Sequence, residues 1–154
     1  MTLTKKEQNF LKDLQNEEKL CIEKYNRAAE AACDPGLKQM LTKIAKTEES
    51  HYNTVTQMLG GTIPAPKKPA KQKKAPEPTQ QELKYKSSRA CKQQDAYLMA
   101  DLLATEKYVS GVYNTAVFEF CDEKARQTLS GIQQQEQHHG KQLADYMQAN
   151  NMYC

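Results

Sequence analysis

Six side chains of this 154-residue chain could act on one chemical problem: Glu18, Glu48, His51, Glu106, Glu136 and His139. They fall into two sets of identical spacing, a single Glu followed 30 residues later by Glu-x-x-His. On a helix, residues three apart share a face, so each Glu-x-x-His turns a carboxylate and an imidazole in one direction. Four carboxylates drawn into one interior cannot stay uncompensated. Desolvating a buried ion costs several kcal/mol, and neighbouring like charges raise that cost. Two divalent cations would cancel the four negative charges and take the imidazoles as neutral ligands. One imidazole and a mainly oxygen shell per metal suit Fe(II) or Mn(II), and affinity order does not separate those two. The plainer alternative is a bundle in which these acids and histidines pair with one another or face solvent.

The elements that must position them are legible in the spacing. Leu11, Leu14, Glu18, Cys21, Tyr25 and Ala28 recur at three-four intervals, as do Leu37, Leu41, Ile44, Glu48, His51, Val55 and Met58. The second half repeats the pattern with Leu102, Glu106, Val109, Tyr113, Ala116 or Val117, and Phe120. It then continues with Ala125, Leu129, Ile132, Glu136, His139, Leu143 and Tyr146. Such stripes mark amphipathic helices, predicted near 4–33, 36–59, 79–121 and 123–150. Thr4-x-x-Glu7 and Thr79-x-x-Glu82 read as capping boxes, Asp34-Pro35 as an N-cap with a first-turn proline, and Asp122 as an N-cap. Ser87-Ser88 or Asp95 offers a restart for the third helix after a break. An ungapped shift of 88 places lays Glu18 on Glu106, Tyr25 on Tyr113, Cys33-Asp34 on Cys121-Asp122, Glu48 on Glu136 and His51 on His139. The chain therefore divides into a hairpin at 1–59, a crossover at 60–78 and a second hairpin at 79–154, together one bundle.

The crossover opens with Gly60-Gly61 and carries Pro64, Pro66, Pro69, Pro76 and Pro78 beside Lys67, Lys68, Lys71, Lys73 and Lys74. Proline at that density excludes a helix. In polyproline geometry its 19 residues reach about 59 Å at ~3.1 Å each, more than the ~38 Å of a 25-residue helix. The stretch nets +4 against a formal charge of +3 for the whole chain, so the surplus belongs to a tether and not to a nucleic-acid face. Mean hydropathy is −0.86, and no apolar run approaches the roughly 18 residues of a membrane span. The first residues lack an apolar segment, so no secretory signal is expected and the protein reads as intracellular. Its five cysteines form no Cys-x-x-Cys pair. Reduced thiols are expected, with Cys33 and Cys121 as small apolar packers at matching helix ends. His138 should face away from His139, toward solvent.

One Glu from each of two helices and a Glu-x-x-His from each of two others resembles the di-iron and di-manganese carboxylate site of ferritin-like bundles. That resemblance implies an all-α, antiparallel ferritin-like four-helix bundle with a long crossover between helices 2 and 3, holding two Fe ions per chain or, alternatively, Mn. It also implies roles: Glu18 and Glu106 as terminal ligands, Glu48 and Glu136 as bridges, His51 and His139 as imidazole ligands. Glu18 with Tyr25 seven residues on resembles the first helix of bacterioferritins and rubrerythrins, whose phenol lies beside the metals. Tyr25 and its repeat Tyr113 are thus the candidate catalytic side chains; the plainer reading makes both core tyrosines that hydrogen-bond a carboxylate. Residues 18–25 (Glu-Lys-Leu-Cys-Ile-Glu-Lys-Tyr), 104–110 (Ala-Thr-Glu-Lys-Tyr-Val-Ser) and the segment from Met147 to Tyr153 are more closely similar to small ferritin-like spore coat proteins of clostridia, related to the coat protein F family.

Those resemblances imply an oxidase or peroxidase acting on O₂ or peroxide, with a structural spore coat protein or a manganese catalase-like activity as alternatives. Without the Cys-x-x-Cys iron site of rubrerythrins, electrons would come from an external donor. Val109 also stands where rubrerythrins carry an additional Glu. Only 15 residues follow His139, too few for the fifth helix of cage-forming ferritins. Expected partners are O₂ or peroxide, the electron donor, spore coat proteins and a second copy in a homodimer, with no nucleic acid and no membrane. The expected location is the cytoplasm or the spore coat.

Overall fold

A computed structural model describes residues 1–65 and 76–153. Cys154 and the middle of the crossover, with Pro66, Lys67, Lys68, Pro69, Lys71, Lys73 and Lys74, lie outside the described residues. The described residues form four helices and no strand: α1 (Lys5–Ala31), α2 (Pro35–Leu59), α3 (Arg89–Glu119) and α4 (Glu123–Ala149). This is an all-α four-helix bundle. Residues 32–34 turn α1 into α2, and contacts then run in opposite order along the pair: Gln15 donates to Thr56 at 2.9 Å, while Lys38 reaches the carbonyls of Ala29 and Glu30. Lys24 links α1 to α3 through Asp101 and Thr105.

Local chemistry explains most boundaries. The Thr4 hydroxyl accepts from the Glu7 amide at 3.2 Å, and the Glu7 carboxylate accepts from the Thr4 amide at 2.8 Å, a complete capping box. Asp122 accepts from the Ala125 amide and starts α4. Asp34 occupies the N-cap position of α2 before Pro35, yet its side chain makes no cap bond. Its carboxylate accepts instead from the Tyr146 hydroxyl at 2.6 Å.

The third helix begins ten residues later than the predicted 79. Thr79 and Glu82 do form their box, but it closes a single turn. Asn150 then accepts from the Tyr85 amide and donates to the Leu83 carbonyl, both across to the end of α4. Those bonds take the backbone groups a helix would need. Ser88, in the first of the two expected restart positions, caps α3 through the Cys91 amide.

Apolar stripes build two core clusters, one containing Tyr25, Leu37, Leu41, Met99 and Leu143, the other Leu11, Val55, Tyr113, Phe120 and Leu129. Along every helix the predicted acid or Glu-x-x-His lies between residues of the two clusters. Ala116 is buried and Val117 only half-buried. At the α1–α2 connection, Cys33 forms a disulfide with Cys91 in the first turn of α3, their Cα atoms 6.0 Å apart. This corrects the expectation of reduced thiols and of Cys33 as an apolar packer, because pairing across 58 residues follows tertiary proximity and not sequence motif. Among the described residues Cys121 has no disulfide partner, and it is exposed, not packed. The repeat would put its partner at position 3, where the chain has Leu3. Among the described residues no helix is long and apolar enough to cross a membrane.

Candidate metal centre

The middle of the bundle is a polar layer between two apolar ones. Glu18, Glu48, His51, Glu106, Glu136 and His139 are all buried, none more than 4% exposed. His51 Nδ1 lies 3.1 Å from Glu136, 3.2 Å from Glu48 and 3.7 Å from Glu18. His139 Nδ1 lies 2.8 Å from Glu48, 3.4 Å from Glu136 and 3.6 Å from Glu106. The two rings stack with centroids 5.9 Å apart. Two overlapping donor sets result, Glu18-Glu48-His51-Glu136 and Glu48-Glu106-Glu136-His139, each with its ligand atoms within 4.8 Å of one another. Glu48 and Glu136 belong to both sets, Glu18 and Glu106 to one each.

Tyrosines close the layer reciprocally: Tyr25 donates to Glu106 and Tyr113 donates to Glu18. Both phenols sit at the predicted positions, and both make the carboxylate hydrogen bond of the plainer reading. Burial, with the nearby carboxylates, pushes both phenols well above their ordinary range. Neither is ionised at neutral pH.

The electrostatics divide the four carboxyls into two kinds. Burial, then the charges of Glu48 and Glu136, pushes Glu18 up to about 12. Glu106 is raised to about 8, again chiefly by burial. Burial also opposes charge on Glu48 and Glu136, but hydrogen bonding to the two imidazoles outweighs it and lowers both. The imidazoles respond in the opposite sense. Burial disfavours their cations, yet contact with the glutamates raises His51 to about 9 and His139 to about 11. Without metal, the layer balances two glutamates against two imidazolium ions and keeps Glu18 and Glu106 neutral.

Proton balance does not satisfy every atom. Five buried atoms of the layer make no hydrogen bond of good geometry: Glu18 Oε2, Glu106 Oε2, Glu48 Oε1, Glu136 Oε2 and His139 Nδ1, although the last lies 2.8 Å from Glu48 Oε1 and 3.4 Å from Glu136 Oε2. Buried polar atoms are rarely left so, and five in one cluster require an explanation. All five belong to the two donor sets. Carboxylate oxygens and imidazole nitrogens are the donors that Fe(II) and Mn(II) take, so the residues present fit a dinuclear divalent centre.

Three features of this surrounding were not read from the sequence. Asp95, fully buried, accepts from the Cys33 and Asp34 amides and from the Tyr85 hydroxyl. Glu7 accepts from the Cys121 amide. The two contacts are related by the same 88-residue shift, and extending the shift N-terminally would have revealed the acid at both positions. The third is Gln135, whose side-chain oxygen meets His51 Nε2. Position 47, its counterpart in the first half, is Thr, so the repeat gave no signal. His138 is exposed, as predicted, and lines a groove of about 1050 Å³ between α2 and α4 that also reaches His139 and Tyr146.

Residues 94–153, most of α3 with all of α4, match the Coat F domain. No curated protein and no solved structure matches the chain.

Proposed function

We propose that the chain is a spore coat protein whose helical bundle carries a dinuclear divalent-metal centre. The Coat F match supports the coat half, and it favours this alternative over the oxidase or peroxidase expected from the ferritin-like resemblance. The metal half rests on two overlapping sets of buried carboxylate and imidazole donors in one layer, with Glu18 Oε2 and Glu106 Oε2 left without a hydrogen-bond partner. Glu18 and His51 would hold one metal, Glu106 and His139 the other, with Glu48 and Glu136 shared. Two cations would replace the protons on Glu18, Glu106 and the imidazoles, and so relieve the orphaned oxygens. The first role of such a centre is to cross-link all four helices at mid-height. When the metals are iron, they supply the electron pair that reduction of O₂ or peroxide consumes.

Turnover is the second reading, favoured by the groove that reaches His139 from solvent. The chain's own residues would bind and orient the metals, exclude water around Glu18 through Tyr113, and place Tyr25 beside Glu106. An external donor would return the electrons. A manganese catalase-like activity is distinguished by oxygen release from peroxide without any reductant.

Metal content per chain tests the proposal, measured by elemental mass spectrometry after anaerobic equilibration with Fe(II) and Mn(II) in competition. The expected result is close to two metals per chain, lost in the Glu48→Ala, Glu136→Ala double variant. Substoichiometric binding that ignores those substitutions would overturn the metal centre. Spore fractionation tests the location, the chain being expected in the coat fraction. Peroxide sensitivity of spores carrying Glu18→Gln and Glu106→Gln separates the two roles: unchanged for a structural metal, increased for a centre that turns over.

A further inference from the structure

The six-residue layer is close to two-fold symmetric, but its outer surroundings are not. His51 Nε2 faces the Gln135 side-chain oxygen. An oxygen there accepts, so the ring keeps a hydrogen on Nε2, and it is Nδ1, facing Glu18, Glu48 and Glu136, that gives up its proton and offers a lone pair when a metal binds. At the equivalent place beside His139 stands Thr47, whose hydroxyl bonds the Lys43 carbonyl of its own helix. Among the described residues no group hydrogen-bonds His139 Nε2, and His139 itself lines the α2–α4 groove beside Thr47, whereas on the other side it is Gln135, and not His51, that lines it.

We infer that Gln135 is a positioning residue that makes the two metal positions unequal, fixing His51 for tight binding and leaving the His139 position as the exchangeable one, open to the groove. This rests on the metal-centre reading above. A carbonyl acceptor behind a ligating imidazole fixes the tautomer, holds the ring orientation and raises basicity; loss of such a partner weakens metal binding by roughly 10–100-fold. The His139 position lacks that support and has a path to solvent. Metal should therefore enter and leave there first.

Anaerobic Co(II) titration, followed by calorimetry and by visible ligand-field absorption, reads the two positions separately in the full chain. Wild-type protein is expected to bind two Co(II) ions with distinct affinities. Gln135→Met keeps the side chain's length and removes the acceptor; it should weaken the tighter event by about 10–100-fold and leave the weaker one and the helical circular dichroism unchanged. Gln135→Glu, which retains an acceptor, should restore the tight event. Unaltered affinities in Gln135→Met, equal weakening of both events, or failure of Gln135→Glu to restore the tight one would overturn the inference while the metal centre stands. A wild-type chain that binds no Co(II) would overturn both.

Discussion

At the residue scale, the layer's behaviour follows from where its protons reside. Glu106 and His51 hold their protons more tightly in the folded chain, to about 8 and about 9, than at their ordinary values of 4.5 and 6.5. A group raised by folding contributes stability that is complete below its ordinary value and disappears as pH climbs through its folded value. Glu48 and Glu136 are lowered and act oppositely: their contribution is present above 4.5 and lost as pH falls below it. Chelated protein should therefore be most stable near pH 4.5 and lose melting temperature from there up to about pH 9, first through Glu106 and above pH 6.5 through His51 as well. Metal ligation displaces the protons concerned, so the loaded protein should not share that alkaline decline, and loading at neutral pH should release protons. Thermal melts across this range with and without chelator check the prediction. A chelated protein whose melting temperature is flat between pH 6.5 and 9 would refute it.

At the element scale, both hairpins are tied by acids from the opposite half. Asp95 of α3 holds the α1–α2 turn through the Cys33 and Asp34 amides, and Glu7 of α1 holds the α3–α4 turn through the Cys121 amide. The two ties are unequal in burial and in number of bonds. Asp95 serves two amides and the Tyr85 phenol with no exposure at all. Replacing it by Ala leaves three donors without their acceptor, at a cost of roughly 2–5 kcal/mol. Glu7→Ala removes half a capping box and one amide contact, so about 1–2 kcal/mol is expected. Urea unfolding of the two variants should rank them in that order, and equal losses would contradict the burial argument.

At the scale of the whole molecule, the crossover leaves one hairpin and must return to the other. The Cys33–Cys91 disulfide fixes its far end against the first hairpin, closing a loop of 58 residues' separation. Restricting so long a loop in the unfolded chain is worth about 2–4 kcal/mol. Cys91→Ser should lower the melting temperature, and reductant should lower the wild type to the same point while leaving Cys91→Ser unmoved. Identical melting of oxidised and reduced wild type would remove the disulfide from the account of stability. The same bond anchors the start of α3, whose Glu106 and Tyr113 lie in the polar layer, so the covalent tie and the layer act on one helix.

What the sequence by itself determined was the set of four helices, their inward stripes and the six side chains that meet at mid-height. Those features repeat at intervals of three and four residues, and twice along the chain, so short-range periodicity and self-similarity suffice to find them. Tertiary structure alone decided where α3 starts, because Asn150 intercepts the backbone at Leu83 and Tyr85 from the far end of the chain. It also decided that Cys33 pairs with Cys91, that Asp34 turns to Tyr146 instead of capping its helix, and that Gln135 faces His51. Each of these joins residues distant in sequence without an internal repeat to announce them. Side chains that find a partner through folding leave no periodic trace, whereas side chains that must share one face of a helix do.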